Sequence, residues 1–186
     1  MRLGLALLLV PSLASVASVA AARPITVGAS YGITQSKVDA AADPNTMMTA
    51  FGRIGIGRHV EAGLELQDIS TPDQSTVIRT FGALLAVDLA SNKHLMPMLI
   101  AGIGVDHAAM SYGGSTDAHH YEGGFALEYR ADGGIVVGGD VRIGGRSIDS
   151  SQMVYPLQGV AYSAPASSQL SDGEYRSARL YVGVRF

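Results

Sequence analysis

Three histidines, His107, His119 and His120, fall close in sequence to Asp106, Asp117, Tyr112, Ser111 and Ser115. Two chemistries use such sets. Imidazole and carboxylate together hold a divalent metal. A His that takes the proton of a Ser hydroxyl makes a nucleophile for ester cleavage. Both require an element that fixes the side chains against one another. Residues 106–119 read instead as a long polar loop, so the plainer expectation is an exposed polar surface.

A second charged set is spread along the chain: Arg53, Glu61, Glu65, Glu128, Asp140, Arg142, Arg146, Arg179 and Arg185. Paired carboxylates do acid–base work when a substrate reaches them. Here the charges alternate with apolar residues, which points to one face of a strand. Other motifs carry less. "GRIGIGRH" and "AGIGVD" contain Gly-x-Gly, but no helix follows, so neither is a nucleotide fingerprint. "DAAADPN" has too few acids for a calcium loop. The Met pair of "NKHLMPM" is read as strand filling rather than a copper site. There is no Cys, and hence no thiolate ligand or nucleophile. The expectation is no catalytic residue, no metal and no cofactor. With a net charge of −3, nothing in the balance favours nucleic acid.

The elements that hold these residues follow from hydropathy. In "SARLYVGVRF", Ala178, Leu180, Val182, Val184 and Phe186 share one face, and Arg179, Tyr181, Gly183 and Arg185 share the other. That period of two is a strand. It recurs in "PITVGASYGIT", "MTAFGRIGIG", "HVEAGLELQ", "TFGALLAVDL", "LMPMLIAGIGVD", "HYEGGFALEYR" and "IVVGGDVRIGGR", eight segments in all. "MTAFGRIGIG" is the weakest, with Ala50, Ile54 and Ile56 opposite Phe51 and Arg53. Each has about the 9–11 residues that cross a bilayer as a tilted strand. Pro97 lies near the start of its strand, where the missing donor costs least.

The connections alternate. Residues 35–45, 68–75, 106–119 and 147–172 are longer, whereas 57–59, 90–94 and 131–134 are short. Short turns at one end and long loops at the other are a property of outer-membrane barrels. The chain opens with Arg2, the apolar run "LGLALLLV" and small residues near Ala20 and Ala22, the layout of a secretory signal peptide. Residues 1–22 are therefore expected to be removed, leaving one barrel domain over 23–186 in the envelope of a Gram-negative cell. The 186-residue chain is 47% hydrophobic, yet no second stretch supplies an apolar helix of membrane length. A mature chain that spans a membrane must then do so as a closed barrel.

Glycine decides which face is wet. Gly102, Gly104, Gly124, Gly138, Gly144 and Gly183 alternate with Glu, Asp and Arg. Small residues beside long charged ones suit a narrow interior. The opposite faces are aliphatic or aromatic, as lipid contact requires. The charged set is thus expected to point inward and pair, because unpaired charge in a low dielectric is costly. Tyr31 and Tyr121 at one end, with Tyr129 and Phe186 at the other, form two thin aromatic belts.

On these strands, the loop asymmetry, the signal peptide and a last strand ending in Phe186, the chain resembles the small eight-stranded outer-membrane barrels of the OmpA-transmembrane-domain and OmpX kind. The resemblance implies an all-β, antiparallel, up-and-down transmembrane barrel in the cell outer membrane. The expected role is non-enzymatic, that of a structural and surface-interaction protein whose loops 106–119 and 147–172 would touch any extracellular ligand. The resemblance also implies that assembly machinery reads the strand ending in Phe186, and that lipid surrounds the mature chain. Two alternatives remain at this point. One is a lipid A deacylase or acyltransferase type of enzyme, although no His here precedes Ser by two residues as in the deacylase. The other is a soluble periplasmic barrel with an apolar ligand inside.

Overall fold

A computed structural model describes residues 23–37, 43–72, 76–90, 94–110, 115–152 and 172–186. The signal-peptide reading of residues 1–22 lies outside them. Eight strands follow in order: β1 (Ile25–Ser36), β2 (Asn45–Gly55), β3 (Val60–Ser70), β4 (Thr76–Asp88), β5 (Leu95–Met110), β6 (Ser115–Arg130), β7 (Ile135–Gln152) and β8 (Gly173–Arg185). Each pairs antiparallel with the next, and β8 returns to β1 to close the barrel. The expected eight-stranded antiparallel barrel is thus the observed fold. The ring has no open edge, which removes the row of unpaired backbone groups that a sheet otherwise presents.

Closure joins the start of β1 to the residue that follows β8. Phe186 and Ile25 exchange backbone bonds, at 2.9 Å from Phe186 N and 3.2 Å from Ile25 N. Phe186 is therefore a built part of the wall. At the same end, the β6–β7 turn needs Gly134. Its φ is +80°, and a Cβ there would sit 2.6 Å from the Arg185 carbonyl oxygen.

The faces are those that the alternation predicts. Leu180 is 76% exposed, Ile103 66% and Tyr121 65%, all on the outside. Glu128 is fully buried inside, with Asp106 at 2% and Arg142 at 3%. The apolar outer band runs round the whole barrel, and a soluble barrel would need the reverse.

The sequence reading needs two corrections. Residues 106–119 are not a loop: β5 runs to Met110 and β6 begins at Ser115. Polar residues do not end a strand when one face meets water, and the alternation persists, with Ala108 and Ala118 buried inside. A register shift between Asp117 and Ala118 accompanies the extension. In the same way, residues 147–152 belong to β7, so the long connection starts later than expected.

The second correction concerns the lumen, which is not uniformly polar. Leu84, Ala86, Met96, Met98, Ile100 and Ala126 form one buried apolar cluster along β4–β6. Met47, Ile69, Ile78, Ala108 and Ala118 form another at the loop end. The Met pair flanking Pro97 packs within the first of these.

Candidate functional site: an ion-paired lumen and a charged rim

The lumen side chains stack in tiers that begin beneath the loop-end apolar cluster and run down beside the other. At the loop end, Asp106 of β5 gathers three partners. Thr80 Oγ1 donates to its Oδ1 at 2.6 Å, His120 Nδ1 lies 3.0 Å from the same oxygen, and Arg146 Nε donates to Oδ2 at 2.5 Å. The Arg146 guanidinium covers the Tyr175 ring at 4.9 Å. The Tyr175 hydroxyl donates to Glu122 at 3.0 Å, and Glu122 in turn pairs with Arg142.

The middle tier holds Glu65, Asp140, Arg142 and Arg179. Arg142 of β7 donates both terminal nitrogens to Glu65 of β3, at 2.9 and 3.0 Å. Arg179 of β8 does the same at 3.1 and 3.2 Å. Asp140 accepts from Arg179 at 2.8 Å and from Arg142 at 3.2 Å. Two guanidinium forks therefore share two carboxylates, an arrangement for which the planar five-donor head of Arg is suited and Lys is not.

The third tier lies nearest the short turns. Glu128 pairs with Arg53, and it accepts from Arg130 Nε at 2.6 Å and from the Tyr181 hydroxyl at 3.1 Å. Arg130 also reaches Glu61 at 3.1 Å and Asp88 at 3.4 Å. Arg185 donates to Glu61 at 2.6 Å and to Thr26 at 3.1 Å. The Arg53 guanidinium is flanked by Phe51 and Tyr181, with ring centres at 5.2 and 5.7 Å.

All nine charged residues expected in the lumen are there. Asp88, Asp106, His120, Glu122 and Arg130 join them. So do Tyr175 and Tyr181, whose phenol hydroxyls complete two carboxylates. Gly138 and Gly144 make room for these rings: a Cβ at either would lie 2.5 Å from a ring carbon of Tyr181 or Tyr175. Gly104 gives way to His120 in the same manner, at 2.5 Å. Two cavities among these side chains, of about 20 and 10 Å³, are on the scale of one water molecule each.

The histidine set is split by the alternation. His120 and Asp106 point inward, whereas His107 and Asp117 point outward, with His107 Nδ1 2.5 Å from Asp117 Oδ1. Among the described residues, the His107 ring is partnered by Asp117 and by no hydroxyl. Ser111 and Tyr112 lie outside the described residues.

On the outer surface, Asp68, Arg79, His107 and Asp117 are successive register partners across β3–β6. Asp68 and Arg79 approach to 3.7 Å. This exposed charged row sits directly above the apolar band, which it terminates.

Closed, meandering, apolar outside and ion-paired inside, the chain superposes on solved barrels of one architecture. Neisserial surface protein A matches over 88% of this chain and 95% of its own, with a TM-score of 0.60 and 12% identity. The N-terminal β-barrel domain of Pseudomonas aeruginosa OprF matches over 88% and 97%, with a TM-score of 0.54 and 14% identity.

The fold is that of the small eight-stranded outer-membrane barrels.

No protein-family model and no curated protein matches the sequence. At such identities the likeness is one of architecture. The lumen tiers and the rim of this barrel are read from its own residues.

Proposed function

We propose that this chain is an integral outer-membrane protein with a closed lumen and no enzymatic activity, which presents a surface to the outside through its extended strand ends and the connection 153–172. One observation carries the reading: the outer band from Tyr31, Phe81, Val105 and Tyr121 down to Tyr129, Ile135 and Phe186 is exposed and apolar, while the acids and Arg side chains are paired inside. Such a wall is stable in lipid and aggregates in water.

Closure of the lumen rests on its contents. Eight strands leave an interior just wide enough for side chains. The tiers fill it with paired charge, and apolar clusters cap one end and line one side. An ion would have to displace a buried bidentate pair to pass.

The non-enzymatic reading is supported by the split of the histidine set, which turns His120 into the lumen with Asp106 and His107 outward with Asp117. The soluble alternative has no support in the faces, since the two apolar clusters inside are packed side chain against side chain. Planar-bilayer recording of the refolded protein tests closure. Steady baseline current at 100 mV is the expected result, and regular conductance steps contradict it.

A further inference from the structure

The outer wall carries an apolar groove of about 890 Å³ on the β5–β8 and β1 side. Two adjacent ladder rows shape it. Arg176, Ile143 and Gly123 are register partners across β8, β7 and β6, and beneath them run Ala178, Val141 and Phe125. The floor is deepest at Gly123, where an added Cβ would meet nothing nearer than a carbonyl oxygen at 3.8 Å. Ladder rows cross the strands at right angles, and barrel strands tilt by about 35–45°. The groove therefore slopes from the charged rim at Arg176 into the apolar band. From β8 to β5 it runs three strand spacings, about 14 Å, and at that tilt it descends about 8–10 Å into the outer half of a ~30 Å hydrocarbon core.

The cation at its upper end is distinctive. Arg79 faces Asp68 at 3.7 Å, Lys37 pairs with Glu174 at 2.7 Å, and His107 pairs with Asp117 at 2.5 Å. Among the described residues, the exposed Arg176 guanidinium has no hydrogen bond and no ion pair at contact distance; the nearby Glu174 carboxylate, already held by Lys37, acts on it only through space. Beneath the guanidinium lies only apolar wall. A guanidinium at that depth favours a phosphate, which its fork binds through two parallel bonds.

We infer that this groove holds an acyl chain of a phosphorylated outer-leaflet lipid, with Arg176 on the phosphate. The inference rests on the outer-membrane reading above. Charge complementarity selects the class: Lys37 and Arg176 share the one carboxylate of Glu174, and a neutral lipid would fill the groove without meeting the positive charge left over. A protein partner at this depth would have to be a second membrane segment, which gives no role to a lone cation at the rim.

The test is native mass spectrometry of the full mature chain folded in neutral detergent. The probes are dioleoyl phosphatidic acid and dioleoylglycerol, which share acyl chains and differ in the phosphate. The expected result is retention of phosphatidic acid over dioleoylglycerol. Arg176→Gln should reduce that preference about tenfold, the scale of one charge-assisted hydrogen bond, while Arg79→Gln changes it less than about twofold. Gly123→Leu, which fills the groove from a position with open space, should weaken both lipids.

Equal losses for Arg79→Gln and Arg176→Gln would reduce the effect to general rim charge and overturn the site. So would full retention in Arg176→Gln or in Gly123→Leu. Each sample is first run on a gel with and without heating. A wild-type protein without a folded, heat-sensitive band fails the outer-membrane reading and this site with it. A folded protein without phosphate preference fails the site alone.

Discussion

Glu65 of β3 and Arg142 of β7 face each other across the barrel interior in a two-pronged contact at 2.9 and 3.0 Å, and both side chains are almost wholly buried. The same carboxylate is held from another side by Arg179. This contact ties opposite walls together, which backbone pairing between neighbouring strands alone does not do.

Removing Glu65 should therefore cost more than any exposed charge. Glu65→Gln leaves two buried guanidinium groups short of one carboxylate, and such losses run at about 3–5 kcal/mol. The urea midpoint of the protein refolded in detergent, read by the folded gel band, should fall accordingly. Asp68→Asn breaks an exposed pair worth about 0–1 kcal/mol and should leave the midpoint nearly unchanged. Equal effects would mean that the lumen tier does not hold the barrel.

Lumen and outer-wall glycines should respond oppositely to a methyl group. Gly138→Ala places a Cβ 2.5 Å from the Tyr181 ring and should cost about 1–3 kcal/mol. Gly123→Ala meets nothing closer than 3.8 Å and should be tolerated. The same urea series compares them, and a tolerated Gly138→Ala would show that both the Tyr181 ring and the Leu127 backbone, 2.7 Å from the added Cβ, give way.

His107, His119 and His120 should be dispensable for lipid chemistry. The triple alanine variant, expressed in cells, should leave the lipid A acylation pattern seen by mass spectrometry as the wild type leaves it. A pattern that changes with the wild type and reverts with the variant would establish the enzymatic alternative.

The terminal ring should matter to assembly more than to folding. Phe186→Ala keeps the backbone bonds to Ile25 and removes only the exposed ring. Refolding into detergent should proceed at the wild-type yield, while the amount in the outer membrane of cells falls. An unchanged cellular level would remove Phe186 from any role as an address.

Much of this barrel was legible in its sequence because, below the charged rim, most strands keep one face apolar. Leu180, Val182 and Val184 needed no tertiary information to be placed outside. Strand length was harder to read. Asp106, His107, Asp117 and His119 looked like loop residues because they are polar, yet above the lipid both faces of a strand tolerate polarity. The small inward residues Ala108 and Ala118 were the available signal there, and they are easily overlooked. The apolar lumen clusters were illegible for a different reason. Met98 and Ile100 lie inward on β5 among outward Leu99 and Ala101, so that segment has no amphipathic contrast. Partners across the lumen, such as Glu65 with Arg142 and Arg179, depend on barrel closure and register, which no local pattern specifies.

The most direct test of the central claim is to express the protein in a Gram-negative host, isolate the outer-membrane fraction, and run it on SDS gels with and without boiling. The account predicts recovery in that fraction and a band whose mobility changes on boiling, as a closed barrel resists SDS until heated. Recovery in the soluble fraction with one unshifted band would contradict it.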